Sequence, residues 1–259
     1  MAGLRTSPKQ RLPLAESRRR FAVLAVAGLL AVTLVALGTA GSCSSEKAHP
    51  HQGKLQPFSR GRPQSISLGA AEEALLASGA PWYSVTKSGN TGIGKAVVDV
   101  DAPTDVVWGQ LLSFNQYAGK VPRVSKCKIY EQYKSGKTEK IFVHFVSPVL
   151  PGYTFEYYCD HTLERKKNSI TWTLDYRHLS DFDDVSGHWH VEPHPTLPGQ
   201  SRVFYEVKLV APAYLPKIVV NILTSKAIKD ATSWVKKFSE KEAKHSHKAT
   251  APARELVSA

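Results

Sequence analysis

Paired cysteines are missing from this sequence. Its three, Cys43, Cys127 and Cys159, form no CxxC motif and no zinc-ligand spacing. That excludes a zinc-stapled or disulfide-dense scaffold. Cys127 and Cys159 fall in predicted strands, and buried free thiols are the favoured reading over a disulfide formed in an oxidising compartment. A phosphate loop of the GxxxxGK[ST] type is also lacking. The GxxGxG stretch from Gly89 to Gly94 precedes a strand instead of joining a strand to a helix. No GxSxG elbow is present to present a nucleophilic serine. The βαβ rhythm of a doubly wound nucleotide-binding sheet does not occur.

A concentrated cationic surface is absent too, although the chain carries a formal charge of +12. Between Pro81 and Glu240 there are 20 Lys and Arg against 16 Asp and Glu, net +4, so most of the excess lies at the ends. With no arginine and lysine stripe and no nucleic-acid-binding motif, recognition of nucleic acid is excluded. No motif asks for a cofactor or a metal.

One long apolar run is present, Phe21–Ala40, without a charged residue and preceded directly by Arg18, Arg19 and Arg20. Twenty such residues just span a hydrocarbon core as a helix, and the same pattern suits a signal peptide. The positive flank before an uncut run keeps that end cytoplasmic and places the following domain across the membrane. The basic first 20 residues, with Glu16 as their single acid, also fit a plastid leader. The expected organisation is a basic leader and hydrophobic segment over 1–43, a disordered linker over 44–80, a folded domain over 81–240 and a disordered tail over 241–259. The linker reading rests on abundant Gly, Pro, Ser and His, with two helical turns over Ala71–Ala77.

Within the domain, Gly94–Val100 alternates as a first strand. Pro103 and Asp105 then open a short helix carrying Val107, Trp108, Leu111 and Leu112, and Phe114–Ala118 reads as a second. Strands follow over Val124–Tyr133, Glu139–Val146, Tyr153–Leu163, Ser169–Tyr176, Gly187–Glu192 and Arg202–Val210, with turns short enough for hairpins. Alternation is clear in Ile170, Trp172 and Leu174, and again in Val203, Tyr205, Val207 and Leu209; Phe204 is an apolar exception on the opposite, solvent-facing side. The last element is a helix from Pro216 to about Glu240, roughly 36 Å long. One apolar stripe runs along it through Ile218, Val219, Ile222, Leu223, Ala227, Ala231, Trp234, Val235 and Phe238. A stripe that wide needs a surface to cover, and the concave side of a bent antiparallel sheet supplies it.

Three passages resemble the polyketide cyclase/dehydrase and lipid-transport family of START-like domains. Val97-Val98-Asp99-Val100-Asp101-Ala102-Pro103-Thr104-Asp105-Val106-Val107-Trp108 resembles that family's first strand, its helix start and the tryptophan that follows. Asp183-Asp184-Val185-Ser186-Gly187-His188-Trp189 resembles its acidic loop and Gly-x-Trp strand opening, and Ser201-Arg202-Val203-Phe204-Tyr205-Glu206 its next strand. The closing helix after Leu215-Pro216 fits as well. The likeness runs from about Thr91 to Glu240 and extends to the coenzyme-Q-binding branch, though no motif selects that branch. It implies an α+β helix-grip fold: a curved antiparallel sheet of about seven strands, two short helices and a long C-terminal helix. It also implies an apolar cavity between sheet and helix for a lipid, sterol, quinone, polyketide or similar guest. Some members of the family are enzymes and many only bind.

Candidate ligand contacts are Tyr157, Trp172 and Tyr205, each among apolar neighbours of the same strand parity, and Ile218, Ile222 and Leu223 on the helix. Ordinary core packing competes with ligand contact at each. A tyrosine in a cavity wall offers a hydroxyl to an otherwise apolar guest. His188 and His190 share a face with His144 nearby, a pattern better read as a polar sheet face than as a metal set. Cys159 and His161 lie two apart on one face without an evident third group to activate them. Asp181, Asp183 and Asp184 read as a solvated turn. Pro148–Tyr153 and Ala211–Pro216 are proline-stiffened apolar loops suited to a cavity mouth or a bilayer.

Three functions remain open: non-catalytic carriage of a hydrophobic molecule near a membrane, a cyclase or dehydratase acting in the same cavity, and a protein-interaction module with the cavity filled. Carriage predicts an apolar cavity of several hundred cubic ångströms.

Overall fold

The computed structural model describes residues 48–50 and 55–250, with side chains to 246. The apolar run Phe21–Ala40, Cys43, His51 and the last nine residues lie outside the described residues. Among the described residues, no helix is long and apolar enough to cross a membrane.

The alternating segments form eight strands: β1 Trp82–Ser88, β2 Thr91–Val100, β3 Lys126–Ser135, β4 Thr138–Leu150, β5 Tyr153–Glu164, β6 Ser169–Leu174, β7 Asp184–Pro193 and β8 Ser201–Val210. They build one sheet in the order β1-β2-β8-β7-β6-β5-β4-β3. Every neighbouring pair is antiparallel. The helices are α1 Ala70–Ala77, α2 Thr104–Leu112, the single turn α3 Tyr117–Lys120, α4 Lys217–Asn221 and α5 Ala227–Thr250. A π-helical turn, Ile222–Lys226, joins α4 to α5, so that the three form one long element. Its stripe residues Val219, Trp234 and Val235 pack into the same apolar core as Val143, Cys159 and Val203 on the inner face of the sheet. This is the helix-grip arrangement expected from the sequence.

The strand missed in the sequence is β1. It is an edge strand, paired only with β2, and its second half is exposed, so it has no buried face to write an apolar period. Gly89 and Asn90 make its hairpin turn, with Gly89 at φ +57°.

The long helix does not stop near Glu240. It continues to Thr250, where Lys, Glu and Ala favour helix and Ala243 is still buried. The tail boundary at 241 is corrected accordingly.

The stretch read as a disordered linker is ordered from 55 to 80. It crosses the outer face of the sheet and ends in α1. Leu55 N–H donates to Asp184 Oδ2 at 2.9 Å, Ser186 Oγ donates to the Gln56 carbonyl at 3.1 Å, and Ser65 donates to Glu206. Phe58 stacks on His188, and the Arg62 guanidinium lies over the Phe204 ring. Ile66, Leu76, Val97 and Phe204 form a small buried cluster on this face. The strap is therefore polar in composition because most of what it covers is polar, and the apolar exception Phe204 has its partner there. Arg202 closes the layer, holding Asp99 at 2.7 Å and Glu73 of α1 at 2.7 Å.

Candidate ligand cavity

Where the long helix touches the sheet is set by two residues without side chains. A Cβ on Gly94 would stand 1.9 Å from Ile228 Cδ1, and one on Gly92 would stand 2.2 Å from Thr224 Cγ2. Only glycine lets the helix come so close to β2. The π-turn falls at this contact and widens the helix by one residue. Thr224 Oγ1 donates to the Val220 carbonyl at 2.8 Å there.

Beside that contact a cavity of about 220 Å³ lies between helix and sheet, and Gly92, Gly94, Thr224 and Ile228 themselves line it. This is smaller than the several hundred cubic ångströms expected, because aromatic side chains occupy part of the space. The walls come from the inner faces of β4 to β8, the helix, α2 with the turn after it, and the loop Val121–Val124.

Of the six candidate contacts, Tyr157, Trp172, Tyr205, Ile222 and Leu223 line the cavity. Ile218 does not: it is 63 % exposed on α4. The α4 turn keeps Val219 buried and turns its neighbour outward. Sequence reasoning missed the contribution of Arg123 and Asp230, which also line the cavity. They form an ion pair between the Val121–Val124 loop and α5, and Arg123 adopts φ +61°, a left-handed conformation unusual for a non-glycine residue. No local pattern marks a pair joining elements so far apart in the chain. Tyr117 and Trp234, 4.9 Å apart edge to face, close the wall behind them.

The rings form a connected set. Phe145 and Tyr157 stack at 5.0 Å and 12°. Tyr205 sits 6.1 Å from Trp172 and 4.2 Å from Trp189. Trp189 is thus the inward anchor expected from its parity.

Most polar groups at this wall are already engaged. Tyr117 donates its hydroxyl to the Leu111 carbonyl at 2.5 Å, and His161 Nδ1 lies 3.2 Å from the Ile141 carbonyl. Tyr157 shares a hydrogen bond with Ser147. The Tyr205 hydroxyl has no hydrogen-bond partner among the described residues.

Burial decides the protonation of the phenols, the thiol and the imidazole at this wall. Desolvation holds the phenols of Tyr117, Tyr157 and Tyr205 well above the usual tyrosine range. It raises the Cys159 thiol and pushes that of Cys127 up to about 12. The imidazole of His161 is pushed down to about 3 by the same loss of water. Cys159 and His161 are therefore a neutral thiol beside a neutral imidazole. Both described cysteines are buried and unpaired.

The remaining sequence candidates lie elsewhere. His188 and His190 are on the outer face beneath the strap, and His188 Nε2 is 3.0 Å from Ser169 Oγ. His144 stacks on Tyr158 and pairs with Glu156 at 2.8 Å. Among the described residues, no group of three His, Cys, Asp or Glu is placed to hold a metal ion. Asp184 is not part of a solvated turn; it is fully buried and accepts from the Tyr176 hydroxyl at 2.8 Å and from Leu55 N–H.

No family model matches this chain, and no curated protein matches it in sequence. Solved structures do. An aromatase/cyclase, Zhui, from Streptomyces sp. R1128 is similar at 17 % identity and TM-score 0.48, over 60 % of this chain and 94 % of its own. A START superfamily protein from Mycobacterium smegmatis is similar at 14 % identity and TM-score 0.47, over 59 % of this chain and 97 % of its own. A protein from Thermus thermophilus, TTHA0849, is similar at 14 % identity and TM-score 0.46, over 59 % of this chain and 97 % of its own. The first two are named as an aromatase/cyclase and a START superfamily protein. At such identity the likeness is one of fold.

Proposed function

We propose that this protein binds and carries a hydrophobic small molecule, without catalysis, in the cavity between the sheet and the long helix. The observation that carries the reading is the cavity itself: a partly open, mostly apolar space walled by connected rings, with the Arg123 and Asp230 pair at its edge. Empty apolar space of this size is costly to keep in a folded core, since each missing contact forfeits packing energy. A guest restores those contacts.

Protonation favours carriage over the cyclase or dehydratase reading. Such chemistry needs a group that exchanges a proton near neutral pH. The phenols and thiol here stay protonated and His161 stays unprotonated across that range. The interaction-module reading needs a filled interior, which the cavity does not favour.

We further propose that carriage takes place beside a membrane. Phe21–Ala40 is the segment suited to anchor or export the chain. Tyr214, just before the long helix, and Ile218, in its first turn, are large apolar residues 76 % and 63 % exposed.

The test is organic extraction of the purified full chain followed by mass spectrometry. An apolar molecule near one per chain is the expected result. A chain that yields none, and that takes up no apolar probe in titration, overturns the reading. Recovery of the full chain in the soluble fraction after lysis, with no processing, overturns the membrane part alone.

A further inference from the structure

The guest's size and chemistry can be narrowed from the walls. We propose that the cavity takes a flat, unsaturated molecule of about two fused rings bearing one hydrogen-bond-accepting oxygen, to which the Tyr205 hydroxyl donates. This rests on the carrier reading and sharpens it.

Volume supplies the first constraint. An apolar cavity of about 150 Å³ holds benzene, and pockets for drug-sized ligands begin at about 300 Å³. At about 220 Å³ this cavity falls between the two. A two-ring compound of about ten ring atoms fits that interval. A sterol or a two-chain lipid would leave much of its length outside the cavity.

The shape of the walls supplies the second. Phe145 and Tyr157 lie nearly parallel, and Trp172, Tyr205 and Trp189 make a second bank of rings. Aromatic faces prefer offset or edge-to-face partners, which a planar ring provides and a kinked alkyl chain does not. A rigid ring also loses little freedom on entry, whereas an acyl chain must freeze its rotors.

The third is a polar group left over. Tyr117 and Tyr157 have partners, and His161 Nδ1 lies within reach of the Ile141 carbonyl. Tyr205, on the cavity wall between Trp172 and Trp189, has none among the described residues. Tyr205 is half-buried and its hydroxyl faces the cavity, so what enters the cavity is what satisfies it. A guest oxygen within reach satisfies it. The donor is a neutral phenol, so the matching group is a carbonyl, ether or hydroxyl oxygen.

The test is calorimetric titration of the full chain with 2-naphthol, naphthalene, palmitate and cholesterol, for the wild type and Tyr205→Phe. The expected result is one 2-naphthol per chain, bound more tightly than naphthalene. Tyr205→Phe then weakens 2-naphthol about three- to tenfold, the worth of one neutral hydrogen bond, and leaves naphthalene nearly unchanged. Equal effects on both probes, or none, overturn the role of Tyr205. Palmitate or cholesterol binding more tightly than 2-naphthol overturns the size and shape and leaves the carrier reading standing. Failure of all four probes overturns this proposal, and together with an empty organic extract it overturns the carrier reading itself. If Tyr205→Phe does not fold, Val207→Phe, which adds bulk to the same wall, is expected to weaken both ring compounds by about tenfold or more; unchanged binding places them outside this cavity and overturns the proposal.

Discussion

The Trp172 indole lies across the face of Gly187, its cross-strand partner between β6 and β7, so closely that a Cβ on Gly187 would stand 2.0 Å from Trp172 Cζ2. The atom met is part of a rigid ring, not the end of a flexible chain. Gly187→Ala therefore forces the indole off the sheet and into the cavity. The expected cost is about 1–3 kcal/mol in urea unfolding, with loss of binding for any guest that uses this space. In a Trp172→Ala background, Gly187→Ala is expected to cost little, because the ring it would meet is gone.

The contact between β2 and the helix makes a parallel case. Gly94→Ala places a methyl group on Ile228 Cδ1, in a site where Ile228 is fully buried. Overpacking here is expected to cost about 1–3 kcal/mol. The double variant Gly94→Ala with Ile228→Val is expected to be less destabilised than the two single effects added together, because the second change vacates the space the first one fills. Denaturant midpoints of the four proteins decide it.

These two glycines show what was and was not legible in the sequence. The alternation in β6 and β8 and the stripe on the last helix gave the layers, and strand parity put Tyr157, Trp172 and Tyr205 on the inner wall. Ile218 does not line the cavity because a stripe read at helical spacing says which side is apolar, not which of its residues are covered: Ile218 is exposed while Val219 is buried. The strap from 55 to 80 was illegible for a different reason. Its partners are polar residues on the outer sheet face, such as Glu206 and Asp184, so it needs no apolar period of its own. Arg123 and Asp230 meet only through the tertiary fold.

The strap makes its own prediction. A fragment starting at Pro81, the boundary that composition suggests, uncovers Val97 and Phe204 and removes Ile66 and Leu76 from the cluster they share. Each large apolar side chain so exposed is worth about 1.5–3 kcal/mol. The fragment 81–250 is expected to unfold at least about 3 kcal/mol more easily than 48–250. Equal stability would mean that the strap only lies against the sheet.

Arg123 and Asp230 close the cavity between the Val121–Val124 loop and α5. The pair also holds Arg123 at φ +61°, a conformation it does not favour alone. Asp230→Ala is expected to release the loop, costing about 1–3 kcal/mol, as for hydrogen bonds to a charged partner. It is also expected to speed guest dissociation more than it weakens equilibrium binding. Stopped-flow displacement of a bound naphthol probe reads the rate. Arg123→Ala is expected to give the same phenotype, and the double variant little more than either.

His161 contributes to the loss of stability in acid. Its imidazole is buried, and loss of water pushes its pKa down to about 3 from an ordinary value near 6.5. The sign follows from proton counts: between these values the unfolded chain binds a proton that the folded chain refuses. Stability from this group is therefore complete above about pH 6.5 and falls as the pH drops toward 3, by about 1.4 kcal/mol per unit at most. From pH 7 to 4.5 the expected loss is about 2–3 kcal/mol. His161→Phe keeps a ring in the wall beside Phe114 and Phe145 but carries no proton. The variant starts lower at pH 7, having given up the contact with the Ile141 carbonyl. Its unfolding free energy is expected to fall less steeply over the same range, so the two pH profiles converge toward acid. Parallel profiles would mean that His161 already titrates near its ordinary value in the folded protein.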